Sequence, residues 1–212
     1  MFPLGSAKHH LKTIPIATLA LISLNAYVFY LEMLQGETFV LRWAMTPAEI
    51  KGGFDSLETI FTSMFLHANW LHLVGNMLFL WAFGPLIEDA MASPRFLLFY
   101  LLGGLVAMVS HVLLGLGSST PVLGASGAVA AVMGAFLVIY PRDNIRTFVM
   151  YPIGRVMLIP AFLLVGVWIL LQVANVWMIS DGDKAGTEVA YMAHIGGAVF
   201  GMLCGRLFLR PH

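Results

Sequence analysis

An all-α, polytopic membrane protein built as a bundle of six transmembrane helices is the fold class this sequence predicts. Three observations carry the prediction. Hydrophobic residues make up 59% of the 212 positions and charged residues only 10%, with mean hydropathy +0.87. A water-soluble domain carries roughly 25% charged residues, so lipid must cover much of this surface. Apolar runs recur at 13–34, 64–87, 96–116, 124–140, 156–179 and 189–209. Most reach the about 20 helical residues that a ~30 Å hydrocarbon core demands. The basic residues are also lopsided. Six spans put both termini on one side, which then collects Lys8, Lys12, Arg95, Arg142, Arg146, Arg155, Arg206 and Arg210, against Arg42, Lys51 and Lys184 opposite. By the positive-inside rule both termini are expected to be cytoplasmic, and the minimal length leads to the expectation of a cell (plasma) membrane.

Each element follows from the same reading. The first run comes after Lys8, His9, His10 and Lys12, is too long for a signal-peptide core, and precedes no small-x-small cleavage site; it is expected to be a retained helix. Residues 35–61 form a first outer loop, partly sunk in the interface where Trp43 would rest. The whole of 1–212 is expected to be one domain, with a 1–12 N-terminal segment and a 13–209 core. Zero net charge gives no hint of a nucleic-acid partner. The single cysteine, Cys204, excludes an internal disulfide or a multi-cysteine metal site and is read as a packing residue.

Polar side chains inside spans are expensive, so their positions are informative. The second run carries His67, Asn69, His72 and Asn76, the fourth begins at Gly124-Ala125-Ser126-Gly127, and the sixth carries His194. Asn76 lies twelve residues before Glu88, Ser126 sixteen before Arg142, and His194 twelve before Arg206. At ~1.5 Å per helical residue these polar groups sit about 18, 24 and 18 Å above the inner boundary, within about one helical turn of each other. The fourth helix is short, and the Gly-, Ser- and Thr-rich stretch 115–123 with Pro121 precedes it. Irregular backbone at that depth is tolerated only inside protein or beside water, so a cavity open to the outer side is expected, with Ser126 at its floor.

Ser126 needs a base, and His194 is the candidate. At a helix start the Ser126 backbone N–H lies among unpaired donors, where the helix dipole favours an oxyanion. His72 and Asn76 are four residues apart on one helix face and could donate to the same oxyanion. No Asp or Glu lies at the depth of His194 in the second to sixth runs, so a dyad is expected, with the imidazole held by packing. Gln172 and Asn175, three apart, are expected to hydrogen-bond a neighbouring helix.

His67-x4-His72-x3-Asn76, Gly124-Ala125-Ser126-Gly127 and Ala193-His194-Ile195-Gly196-Gly197, in that order, resemble the signatures of rhomboid intramembrane serine proteases. The likeness spans roughly 61–209 and includes Gly197-x3-Gly201-x3-Gly205, a ridge suited to close packing against the fourth helix. The resemblance implies a rhomboid-like bundle and a serine endopeptidase. It implies Ser126 as nucleophile and His194 as base, with an oxyanion hole of His72, Asn76 and the Ser126 N–H. His67, Gly124 and Gly127 are expected to shape the substrate cavity. It implies single-pass membrane proteins as substrates, the bilayer as the other partner, and no metal or cofactor. Two departures stand out. Glu58-Thr59 occupies the place of a frequent Trp-Arg in the outer loop, and Ala130 that of an aromatic found in some relatives one turn after the serine.

The rival readings are weaker. A zinc site from His67, His72 and His194 would lack HExxH and any acidic partner. A transporter would need ionisable groups along a path to both faces, which the inner half lacks. Position 128 is Ala, so there is no GxSxG. A non-catalytic relative that binds membrane clients would have lost the serine or the histidine, and both are present.

Overall fold

The computed structural model describes residues 1–50, 54–114, 118–150, 154–178 and 190–211. The placements expected for Lys51 and Lys184, and the 115–117 part of the Gly-, Ser- and Thr-rich stretch, lie outside the described residues. Among those described are eight helices: α1 (Ile16–Gln35), α2 (Glu37–Trp43), α3 (Phe54–Thr62), α4 (Trp70–Met91), α5 (Ser93–Leu114), α6 (Ser126–Ile139), α7 (Ala161–Met178) and α8 (Tyr191–Cys204). The chain is a helical membrane bundle. Helices α1, α4 and α5 are long and apolar enough to cross a bilayer, while α6 and the Ala161–Val176 part of α7 are shorter apolar helices.

The centre of the bundle is α6, whose residues from Gly127 to Phe136 are all buried. Its small side chains let α8 approach closely. A Cβ on Gly197 would overlap the Gly127 carbonyl oxygen, and one on Gly201 would overlap that of Ala131. Gly134 on α6 meets the Ala198 carbonyl in the same way, so the glycine ridge of α8 does pack on the fourth apolar run. Outward residues are apolar: Leu71 is 81% exposed, Leu203 74% and Leu170 68%. Such a surface suits lipid rather than water.

Glu88, buried at the far end of α4, caps α1. Its carboxylate accepts from the Ala17 and Thr18 N–H groups at 2.8 Å, from Thr18 Oγ1 at 2.7 Å and from Ser93 Oγ at 2.6 Å. These satisfy donors in the first turn of α1, where the helix dipole also favours negative charge.

One expectation fails here. The run 156–179 is not a continuous helix, because Arg155–Pro160 forms a strand and the helix starts only at Ala161. A small antiparallel sheet joins β1 (Phe2–Ser6), β2 (Asn144–Val149) and β3 (Arg155–Pro160), in the order β1-β2-β3. The reason is local pattern. Residues Ile145, Thr147 and Val149 alternate with outward neighbours and are buried, as a half-buried strand requires. β3 pairs along β2, with Ile145 opposite Ile159 and Thr147 opposite Met157. Pro160 has no N–H to donate and suits the boundary where α7 begins. The N-terminal segment adds as the outer strand, with a bulge between Pro3 and Gly5. Buried Asp143 ties the corner, accepting from Ser6 Oγ at 2.5 Å and from the Asn144 N–H at 2.7 Å.

Candidate active site

The backbone that delivers Ser126 is fixed before the helix begins. Met45 and Val122 form an antiparallel bridge, exchanging N–H···O bonds of 3.2 and 2.7 Å. The Ala48 N–H donates to the Ser118 carbonyl at 2.9 Å, and the Gly124 N–H to the Ser63 carbonyl at 2.8 Å. Gly124 then turns with φ +128°, a conformation that favours glycine, and α6 starts at Ser126. The outer loop is therefore anchored without a Trp-Arg pair at 58–59. Thr62 Oγ1 donates to the Trp43 carbonyl at 2.8 Å, and the Arg42 guanidinium lies 4.9 Å from the Trp43 ring centre.

Helices α6 and α8, locked by their glycines, bring Ser126 and His194 together. Ser126 Oγ lies 2.7 Å from His194 Nε2. The other ring nitrogen, Nδ1, lies 2.8 Å from Gln172 Oε1 on α7. Gln172 Nε2 donates in turn to the Trp168 carbonyl at 3.2 Å, and the Trp168 ring stands 5.3 Å from the imidazole, tilted by 40°. The interhelical partner expected for Gln172 is thus His194 itself. Packing alone does not hold the imidazole; a hydrogen bond and an aromatic wall from α7 do. Ala130 is wholly buried beside α8, close to Gly197.

His72 and Asn76 face the same turn. A Cβ on Gly124 would lie 2.8 Å from His72 Nε2 and 3.7 Å from Asn76 Nδ2. Asn76 is buried, and its Nδ2 has no hydrogen-bond partner within the protein. Asn69 sets the start of α4 by accepting from the His72 N–H at 2.9 Å. His67 is 1% exposed, neither ring nitrogen is partnered in the protein, and its ring meets that of His72 edge-on at 5.2 Å. The buried Glu32 carboxylate of α1 accepts from the His67 N–H at 3.1 and 3.3 Å. Glu32 was missed from sequence; a lone acidic residue within the first apolar run was its signal. Gly127 faces Ala107 on α5 and Ala193 on α8, which places it in helix packing. Among the described residues no group of three or more His, Cys, Asp or Glu side chains is arranged to hold a metal ion.

Taken together, the groups can do acyl transfer. A hydroxyl contacts a base, the base has a second partner, and donors surround the adjacent turn at the positive end of a helix.

Comparison with known proteins points the same way. The family model of the Rhomboid domain matches residues 55–211. The chain is 29% identical over 191 residues to Rhomboid protein 1, mitochondrial, of Saccharomyces cerevisiae, covering 88% of this chain and 51% of the relative. It is 31% identical over 198 residues to RHOMBOID-like protein 12, mitochondrial, of Arabidopsis thaliana (85% and 54%). It is 27% identical over 187 residues to Rhomboid protease GlpG of Pectobacterium atrosepticum (88% and 60%). The chain spans about half the length of the first of these relatives. Their mitochondrial names overturn the expectation of a cell (plasma) membrane with both termini in the cytoplasm. The count of basic residues orients a chain across a membrane but does not say which membrane that is.

Proposed function

The chain belongs to the rhomboid family of intramembrane proteases, and from that premise we propose that it is an active serine endopeptidase that cleaves single-pass transmembrane proteins. The observation that carries this reading is the 2.7 Å contact between Ser126 Oγ and His194 Nε2. In the proposed reaction the scissile segment enters the cavity above α6 in extended form. His194 Nε2 takes the Ser126 proton as Oγ attacks the carbonyl carbon. The resulting oxyanion sits beside Gly124, where His72, Asn76 and the Ser126 N–H donate to it. Collapse expels the amine, which takes the proton from His194, and leaves an acyl-enzyme. Water activated by His194 then hydrolyses the ester. His67 backs the His72 ring, and Gly124 gives the substrate backbone room.

We also take residues 1–212 as one rhomboid domain, with α1, α4, α5, α6, α7 and α8 as its six spans. The helix count and the placement of the polar groups support that arrangement. The relatives' names support a mitochondrial membrane as its location.

The test is cleavage of a single-pass substrate in liposomes, with products sized by mass spectrometry. Wild type, with or without EDTA, is expected to cut at one site, and Ser126→Ala and His194→Ala to be silent. Folded wild-type protein that cuts no member of a panel of helix-destabilised substrates would instead support a relative that binds membrane clients without cleaving them.

A further inference from the structure

We infer that Gln172 is the positioning residue of the dyad, fixing the tautomer of His194 from α7, with Trp168 as the wall against which the imidazole rests. The inference rests on the serine-protease reading of Ser126 and His194 and deepens it.

For Ser126 to give its proton to Nε2, that nitrogen must present a lone pair. A neutral imidazole carries one N–H, so the hydrogen must then be on Nδ1. The atom facing Nδ1 at 2.8 Å is Gln172 Oε1, which only accepts. The amide is not free to turn round, because its Nε2 donates to the Trp168 carbonyl one helical turn earlier. Reversing the imidazole tautomer would set two lone pairs against each other. Gln172 and His194 are both buried, so water competes little for these bonds.

Trp168 stands one turn from Gln172 on the same helix and flanks the ring. Nothing on α6 performs that task, since the residue one turn after Ser126 is Ala130, packed beside Gly197. Helix α7 therefore supplies both the hydrogen-bond acceptor and the aromatic support. A neutral amide orients the base but stabilises an imidazolium less than a carboxylate would. The other titratable groups close enough to act on His194 are His72 on α4 and His111 on α5.

The experiment compares Gln172→Leu and Gln172→Glu with wild type in the liposome cleavage assay, reading kcat, KM, the pH profile and the thermal midpoint. Gln172→Leu keeps the volume and loses the acceptor. Its kcat is expected to fall about 10- to 100-fold, part of the ~10²–10⁴-fold that a positioned base contributes, with KM within about twofold. Gln172→Glu restores an acceptor oxygen. It is expected to recover most of the lost kcat and to move the acid limb of the profile to higher pH. Two results would overturn the inference: Gln172→Leu with wild-type kcat and pH profile, or both variants losing activity in step with their thermal midpoint, as plain interhelical glue would. A wild type that does not cleave, or a Ser126→Ala variant that does, would overturn the serine-protease reading instead.

Discussion

The Asn76 side-chain amide is buried beside the Gly124 turn and donates to nothing in the protein. An unmet buried donor costs about 1–3 kcal/mol, a burden that an oxyanion accepting from it would offset during catalysis. Function and stability should therefore part at this position. Asn76→Leu, close in volume and without the N–H, is expected to lower kcat by about 10²–10³-fold while leaving the thermal midpoint unchanged or higher. Loss of stability with unchanged kcat would show that the amide serves the fold. The residues proposed to carry the chemistry were legible because polar groups stand out in apolar runs: Ser126 contacts His194, and His72 and Asn76 face the Gly124 turn just before it. Gln172 was legible as polar, but its partner was not. It lies 22 positions from His194, and periodicity within one helix cannot say which neighbour a side chain meets. Glu32 stood out as an acidic residue in an apolar run, but its partner, the His67 backbone N–H 35 positions away, leaves no local pattern.

At the scale of elements, the contact between α6 and α8 sets the distance between Ser126 and His194. Gly201 lies two turns from His194 and touches the Ala131 backbone. Gly201→Val would force α8 away from α6, and overpacking of this kind costs about 1–3 kcal/mol or more. Cleavage is expected to be lost with a lowered thermal midpoint, whereas a variant with normal activity and stability would mean that the helices are not held by this approach. Glu88 offers the opposite case. Glu88→Ala leaves the donors of Ala17, Thr18 and Ser93 without their acceptor, at ~1–3 kcal/mol for an unmet buried group. It should destabilise α1 and lower the thermal midpoint, with kcat near wild type at temperatures where the protein stays folded. The glycine ridge was readable from its spacing. The strand β3 was not, because Val-Met-Leu-Ile before Pro160 is apolar throughout, and a short apolar run does not distinguish strand from helix. The partner strand β2 does alternate, but it lay in a loop between two spans where a helical bundle raises no expectation of a sheet.

For the whole molecule, an apolar exterior and a polar cluster buried among α4, α6, α7 and α8 belong together: the bilayer encloses the bundle, and the proposed chemistry is kept inside it. The N-terminal segment closes the small sheet by pairing β1 with β2 and holding Asp143 through Ser6. Removing residues 1–7 is expected to lower the thermal midpoint while leaving the pairing of Ser126 with His194 intact, since none of those residues reaches the site. The central claim is that Ser126 is a nucleophile activated by His194, and a mechanism-based fluorophosphonate probe tests it most directly. The membrane-reconstituted protein would be labelled and the modified peptide identified by mass spectrometry. Labelling confined to Ser126, abolished in Ser126→Ala and strongly reduced in His194→Ala, is the predicted result. Labelling at another residue, or at Ser126 with equal speed when His194 is Ala, would contradict the account.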